Sequence, residues 1–288
     1  MALEGKALGK EIYKRLQQYK EPVINMELLD EEAGILESKI GGAFYVPKGM
    51  EPPRSYDNEE GVDDDDKDDL YLLAQINFGE IEDIDALPAF PKKGLLQIFI
   101  GGDDLYGCDF DDMASQKTWR LRFFEELPNE SDISPEQIYE PKWTEHTYSP
   151  LAGEEVKYRL KGRLAHQSIT FEDYKMTGYL KKYCADIIPG DLRDLWDLDD
   201  EVLEELDDLD WEDEEHDFEC QIGGFPCFTQ SDPRGYTDDE DVPKILLFQL
   251  DTADDIMWGD SGVGNFFIKE EDLKNKDFSK VWYNWDCC

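Results

Sequence analysis

Apolar positions along the chain follow two kinds of spacing. Near the start, Leu8, Ile12, Leu16 and Tyr19 recur every three or four residues, the period of one helical face, and Pro22 ends the run. The same period returns at Leu192, Leu195, Trp196, Val202, Leu203, Leu206 and Leu209, predicting an amphipathic helix over 191–209 with an acidic, solvated side. That stripe reads as a face docked on the body or as a helix offered to a partner. A further helix is expected around Phe171–Tyr183. Elsewhere the apolar runs are short and bounded by Pro, Gly and Asp, which predicts strands at Leu72–Ile76 and at the run leading from Gly94 to Ile100. Thr118–Phe124 and Val156–Leu160 alternate bulk with charge, and Val281–Trp285 reads as the counterpart of the former.

The pattern repeats itself. Ile40-Gly41-Gly42 returns as Ile222-Gly223-Gly224, and Pro53-Arg54-Ser55-Tyr56 as Pro233-Arg234-Gly235-Tyr236. Leu72-Leu73-Ala74-Gln75-Ile76 answers to Leu246-Leu247-Phe248-Gln249-Leu250, and Gly94, Phe99-Ile100, Asp104-Leu105 and Asp109-Phe110 answer to Gly262, Phe267-Ile268, Asp272-Leu273 and Asp277-Phe278. The order is kept and the offset only shrinks, so the second copy has shorter loops. The expected fold is mainly β with minor α (an α+β chain): an internally duplicated, β-roll-like body of two pseudo-symmetric sheet units and a few helices. Residues 1–288 are expected to form one compact domain, with repeats at 38–124 and 220–286 and a mixed connector at 125–219. Each Gly-Gly pair fits a tight bend before a strand; a phosphate cradle would want more glycines and a following helix. Gln75 and Gln249 are matching amides inside apolar strands, placed to satisfy backbone groups or to read a ligand.

Charge changes the picture. Seventy acids against 29 bases leave a net charge of −41, which excludes an ordinary nucleic-acid surface and disfavours anionic membranes, while 40% hydrophobic residues suffice for a core. The acid is local. Residues 57–69 hold nine acids and one Lys, residues 191–219 hold seventeen and one Arg, and 238–241 are all acidic; the other 242 residues carry a net of −13. The runs at 57–69 and 238–241 follow the two Pro-Arg-x-Tyr elements, so they are equivalent loops. A basic protein or a divalent cation could use them, although no calcium-binding loop pattern is present.

Candidate chemistry adds little. Cys108, Cys184, Cys220, Cys227, Cys287 and Cys288 form no C-x-x-C pair, and their spacing matches no zinc site, so free thiols and a cytoplasmic location are expected. The first residues lack the apolar run of a secretory signal, and no apolar stretch is long enough to span a membrane. Cys287-Cys288 could read as a prenylation tail, but no GTPase phosphate loop accompanies it. Gly259-Asp260-Ser261-Gly262 spells a serine-protease nucleophile, yet His146, His166 and His216 lie in the wrong contexts and the duplication aligns Ser261 with Lys93, so a turn is expected. No catalytic residue, cofactor or metal set is assigned.

The chain resembles the YwqG-like family, bacterial proteins of unknown function. The resemblance rests on Ser38-Lys39-Ile40-Gly41-Gly42, Leu73–Phe78, Phe90–Phe99 and Met257-Trp258-Gly259-Asp260-Ser261-Gly262, and covers nearly the whole chain. It implies a duplicated, roll-like β fold and a cytoplasmic bacterial protein, and it supplies no catalytic residues. The acid at 57–69 and 191–215 exceeds what the family leads one to expect. Two functions therefore stand. The first is a non-enzymatic, acidic protein-interaction module, in one form an immunity-type protein masking a basic partner, which would use loops 57–69 and 238–241 and helix 191–209. The second is an enzyme or small-ligand protein whose cleft between the repeats is lined by Gln75, Gln249, Trp258 and Asp260.

Overall fold

Ten strands pair into one antiparallel sheet because their apolar residues alternate with a matching row of polar ones. A computed structural model describes residues 3–153, 156–211, 218–236 and 242–288; the acidic run 238–241 and His216 lie outside them. The chain runs through α1 (Gly5–Leu16), β1 (Glu21–Leu29), β2 (Lys39–Ile40), β3 (Phe44–Tyr45), β4 (Tyr71–Asn77), β5 (Leu95–Ile100), β6 (Arg120–Phe124), β7 (Ile138–Tyr139) and β8 (Tyr158–Gln167). It continues through α2 (Met176–Tyr183), α3 (Asp200–Trp211), β9 (Cys220–Gly223), β10 (Ile245–Asp251), β11 (Val263–Ile268), α4 (Glu270–Asn275) and β12 (Trp282–Asp286).

The strand order is β12-β11-β10-β9-β1-β8-β2-β4-β5-β6, with β3 and β7 forming a separate ribbon. Read from either edge the order is the same: β12, β11, β10, β9 and β1 answer to β6, β5, β4, β2 and β8. A pseudo-twofold axis passes between β1 and β8 at the Glu27–Lys161 pair, since Asn25 faces Arg163 just as Leu29 faces Arg159. Irregularities recur too, at Leu72/Ala74 in one half and Leu246/Phe248 in the other. Mainly β architecture with minor α, internally duplicated, is thus what the chain adopts. The symmetry also takes in β1 and β8. Each half inserts its first strand beside the other's, so that β1 pairs with β9 and β8 with β2.

One row of the sheet reads Ile40, Ala74, Ile98, Leu121 in the first half and Ile222, Phe248, Phe266, Tyr283 in the second, all within one core. The sheet curls around this inner face, bringing Trp119 within 5.4 Å of Tyr283 and Phe123 within 5.1 Å of Phe278. Edge strand β12 is covered by the β5–β6 connection: Tyr283 N–H donates to Met113 O at 3.0 Å and the Trp285 indole to Leu105 O at 2.9 Å. That cover prevents an open edge from recruiting foreign strands.

One residue along, the other face carries Lys39, Gln75, Gln97 and Arg122, matched by Gln221, Gln249, Asn265 and Asn284. These side chains hang a roof of chain on the sheet. Gln75 donates to the main-chain oxygens of Ile35 (3.0 Å) and Glu37 (2.8 Å), and Gln97 to that of Tyr45 (3.0 Å). In the second half Gln221 donates to Phe225 O at 2.8 Å, Gln249 accepts from Cys227 N–H at 2.8 Å, and Asn265 donates to Cys227 O at 2.9 Å. Each Gly-Gly pair turns the chain from the sheet to this roof, with φ between +66° and +74° at all four glycines, where a side chain would be strained. A Cβ on Gly41 would also lie 2.4 Å from Val156 O.

Helices α1, α2 and α3 form their own layer, while α4 packs Leu273 into the sheet core. Leu8, Ile12 and Leu16 of α1 pack with Met176 and Leu180 of α2 and with Leu192, Leu195, Val202 and Leu206. The helix expected over 191–209 is not continuous. Leu195–Asp197 make a 3-10 turn, Leu198 is extended, and α3 starts at Asp200. Local hydrogen bonds cause the break: Asp194 accepts from Trp196 N–H, and Asp197 accepts from the N–H groups of Arg193 and Asp194, in competition with helical bonding. The apolar stripe docks inward, leaving Trp196 61% exposed at the rim. Tyr19, read as part of the first helical face, lies beyond α1 and stacks on Tyr183 at 3.5 Å.

Candidate functional site

The acidic loop 57–69 is built, not loose. Arg54, at the start of the repeated Pro-Arg-x-Tyr element, donates to the Asp64 carboxylate and to Asp64 O, both at 2.8 Å, and to Lys67 O. Ser55 exchanges two 2.8 Å bonds with Asp68, from Ser55 N–H to Asp68 O and from Asp68 N–H to Ser55 Oγ. Asp57 accepts from Arg54 N–H at 2.8 Å and lies 3.5 Å from Lys67 Nζ. Asp63, Asp65 and Asp66 project to solvent, with no hydrogen-bonded or ion-paired side-chain partner among the described residues. The loop thus presents carboxylates from a fixed backbone.

The matching Arg234 does something different. Its guanidinium is fully buried between the rings of Tyr174 (4.7 Å) and Phe267 (4.3 Å), donating to Asp232 at 2.6 Å and Asp173 at 3.2 Å. Burial would lower the pKa of Arg234, but hydrogen bonds to Asp232 and the charge of Asp173 outweigh it and raise it. At Asp173 burial wins: its pKa is raised despite the pull of Arg234. This triad ties the connector to the second repeat and faces no open surface.

The four residues taken as a cleft lining are not brought together. Gln75 and Gln249 are fully buried beneath the two roofs. Trp258 is fully buried in the inner core, 5.6 Å from Tyr106 and 6.4 Å from Tyr283 by ring centroids. Asp260 stands on an exposed turn, where its main-chain oxygen accepts from Cys288 N–H at 3.2 Å. The amides lie on one face of the sheet and the indole on the other, so the sheet itself divides them. Ser261 belongs to that turn, at φ +57°, closed by Gly262 N–H donating to Trp258 O at 2.8 Å. A cavity of about 550 Å³ lies nearby, lined by Tyr106, Trp143 and Tyr148 among others.

A cavity of about 540 Å³ opens where the first roof leaves the sheet, bordered by Asp30–Ala33, Ile35, Lys39–Ala43, Lys157 and Tyr158. Lys39 is only 6% exposed there, and its ammonium donates to Gly34 O at 3.2 Å. Among the described residues no carboxylate lies within 4.0 Å of it. Burial lowers its pKa to about 8, against opposing pulls from Glu140 and Glu37. Lys157, by contrast, is paired with Glu140 at 2.8 Å. The second half serves as an internal control. There Gln221 replaces Lys39, Leu87 packs on Gly223, and Val23 and Gln167 pack on Gly224. Sequence reasoning passed over Lys39; aligning it with Gln221 in the duplication is the signal that finds it.

A lysine pKa held below its ordinary 10.5 makes the folded state less stable once that lysine is protonated. Its favourable contribution is present above pH 10.5 and is lost as pH falls through about 8. Lys39→Gln, the residue of the sister position, should therefore stabilise the protein at pH 7 by about 3 kcal/mol, raising Tm by roughly 5 °C. The gain should vanish above pH 10.5, as thermal unfolding followed from pH 6 to 11 would report.

Among the described residues, no group of three or more His, Cys, Asp or Glu is placed to hold a metal ion, and no helix is long and apolar enough to cross a membrane. No curated protein matches the chain. A family model described as a domain of unknown function (DUF1963) matches residues 38–287, from just before β2 to just past β12. A match of that length settles membership: the chain belongs to the family of this domain of unknown function.

Proposed function

We propose that the protein is a YwqG-like, cytoplasmic bacterial interaction module that binds a basic protein through its acidic surface, without catalysis. The observation that carries this reading is the 57–69 loop. Asp63, Asp65 and Asp66 are held side by side on a backbone fixed by Arg54 and Ser55, so their mutual repulsion is borne by the fold. A surplus of fixed carboxylates speeds encounter with a cationic partner and favours it over neutral ones. The outer side of α3 adds Glu201, Glu204 and Asp208, all exposed. Six free thiols suit a reducing compartment.

The test is affinity capture from the native cytoplasm at low salt, followed by kinetics on the captured partner. The combined variant Asp63→Asn, Asp65→Asn, Asp66→Asn should slow association about tenfold, with a shallower salt dependence and a Tm no lower than that of the wild type. An association rate indifferent to both salt and this variant, or no partner at low salt, would overturn the reading.

A further inference from the structure

The Lys39 cavity differs in character from the acidic loop. Its lining includes Lys39, whose buried ammonium donates to a main-chain oxygen, and three consecutive exposed acidic residues, Asp30, Glu31 and Glu32. Of these, Glu31 lies 3.8 Å from Arg159. The second cation in the wall, Lys157, is already neutralised by Glu140. The lining therefore combines one buried, carboxylate-free positive charge with several exposed negative ones.

Structure alone does not require that lysine. Its counterpart Gln221 hangs the equivalent roof with a neutral amide, and there Leu87, Val23 and Gln167 pack against the turn. Both turns are packed alike, Leu151 and Lys157 lying against Gly41 and Gly42 as Leu87, Val23 and Gln167 lie against Gly223 and Gly224. What differs is the charge, and a lysine beside a cavity where its counterpart is a neutral amide points to an occupant. The occupant needs one anionic group to meet Lys39 and a cationic group to meet the exposed carboxylates. A phosphate dianion suits neither a lone ammonium nor three exposed carboxylates. A carboxylate matches the ammonium one to one, and the volume lies within the range of small-ligand sites. Capture of a terminal carboxylate beside a turn is a familiar mode of peptide recognition.

We infer that the cavity beside the Gly41–Gly42 turn binds a basic residue bearing a free α-carboxylate, with the carboxylate on Lys39 and the basic side chain toward Asp30 and Glu32. The residue could be a free amino acid or the C-terminus of a peptide. The site is independent of the acidic loop.

Titration calorimetry at low ionic strength tests this with three probes: L-arginine, the peptide Gly-Gly-Arg as its free acid, and the same peptide as its C-terminal amide. The acid should bind at least tenfold more tightly than the amide, and Lys39→Gln should abolish that difference. Asp30→Asn combined with Glu32→Gln should weaken acid and amide alike, about tenfold. Binding by arginine as well as the peptide acid assigns the site to a free amino acid; binding by the peptide acid alone assigns it to a chain end. Equal affinity for acid and amide, discrimination that survives Lys39→Gln, or no binding of any probe at millimolar concentration would overturn the inference. The Asp63→Asn, Asp65→Asn, Asp66→Asn variant should bind all three probes as the wild type does, which separates this site from the acidic loop.

Discussion

Arg234→Ala should lower the unfolding free energy by about 3–5 kcal/mol, because it leaves the carboxylates of Asp173 and Asp232 buried without their cation. The loss also strips a planar group from between the Tyr174 and Phe267 rings. The pH dependence follows from Asp173, whose folded pKa is raised by burial. A carboxyl of that kind supports the fold below its unfolded pKa and ceases to do so as pH rises through its folded pKa. Removing Arg234 pushes that folded pKa higher still, so the deficit of the variant should shrink on acidification from pH 7 to pH 4. Urea unfolding at the two pH values measures this. Asp173→Asn in the Arg234→Ala background should recover part of the loss at pH 7; a deficit that stays constant with pH would show the carboxylates to be irrelevant.

Trp258→Ala should cost a similar 3–5 kcal/mol. The indole is fully buried and rests on Gly264, where a Cβ would lie 2.3 Å from the ring. Truncation leaves a cavity walled by strand backbone, which cannot collapse to fill it. Asp260→Ala, two residues along on the exposed turn, should stay within about 0.5 kcal/mol of wild type. Chemical unfolding of the two variants separates a core residue from a surface one. A Trp258→Ala protein with wild-type stability would return the indole to the status of a ligand contact.

These outcomes reflect what the sequence makes legible. Strands β4 and β5 announce themselves as short apolar runs between turn residues, β6 by alternation and β12 as its counterpart, and the duplication is written in Leu-Leu-x-Gln and Phe-Ile blocks whose registers match in space. β1 does not announce itself. Pro22, Asn25 and Glu27 interrupt its apolar pattern, and its symmetry mate β8 shares almost no residues with it, because both are central strands specified by their neighbours. The break before α3 was hidden because Asp194 and Asp197 read as charges on a helix, whereas their side chains cap a turn. That Gln75 and Gln249 serve core amides could be weighed from their surroundings; what they bind could not, since Ile35, Glu37 and Cys227 come from segments that only the folded chain brings overhead. Lys39 was visible as a charge set against an amide, and its meaning required the cavity.

The exchange of first strands at the pseudo-twofold axis has a consequence for synthesis. A ribosome that has translated residue 124 has delivered every strand of the first half, yet β1 still lacks both of its neighbours and β2 lacks one. The missing edges arrive only with residues 158–167 and 220–223. At about 5–20 residues per second the nascent chain carries those open edges for roughly 5–20 s. The first half therefore cannot complete its sheet before the second emerges, and a chain stopped near the midpoint exposes its most aggregation-prone strands.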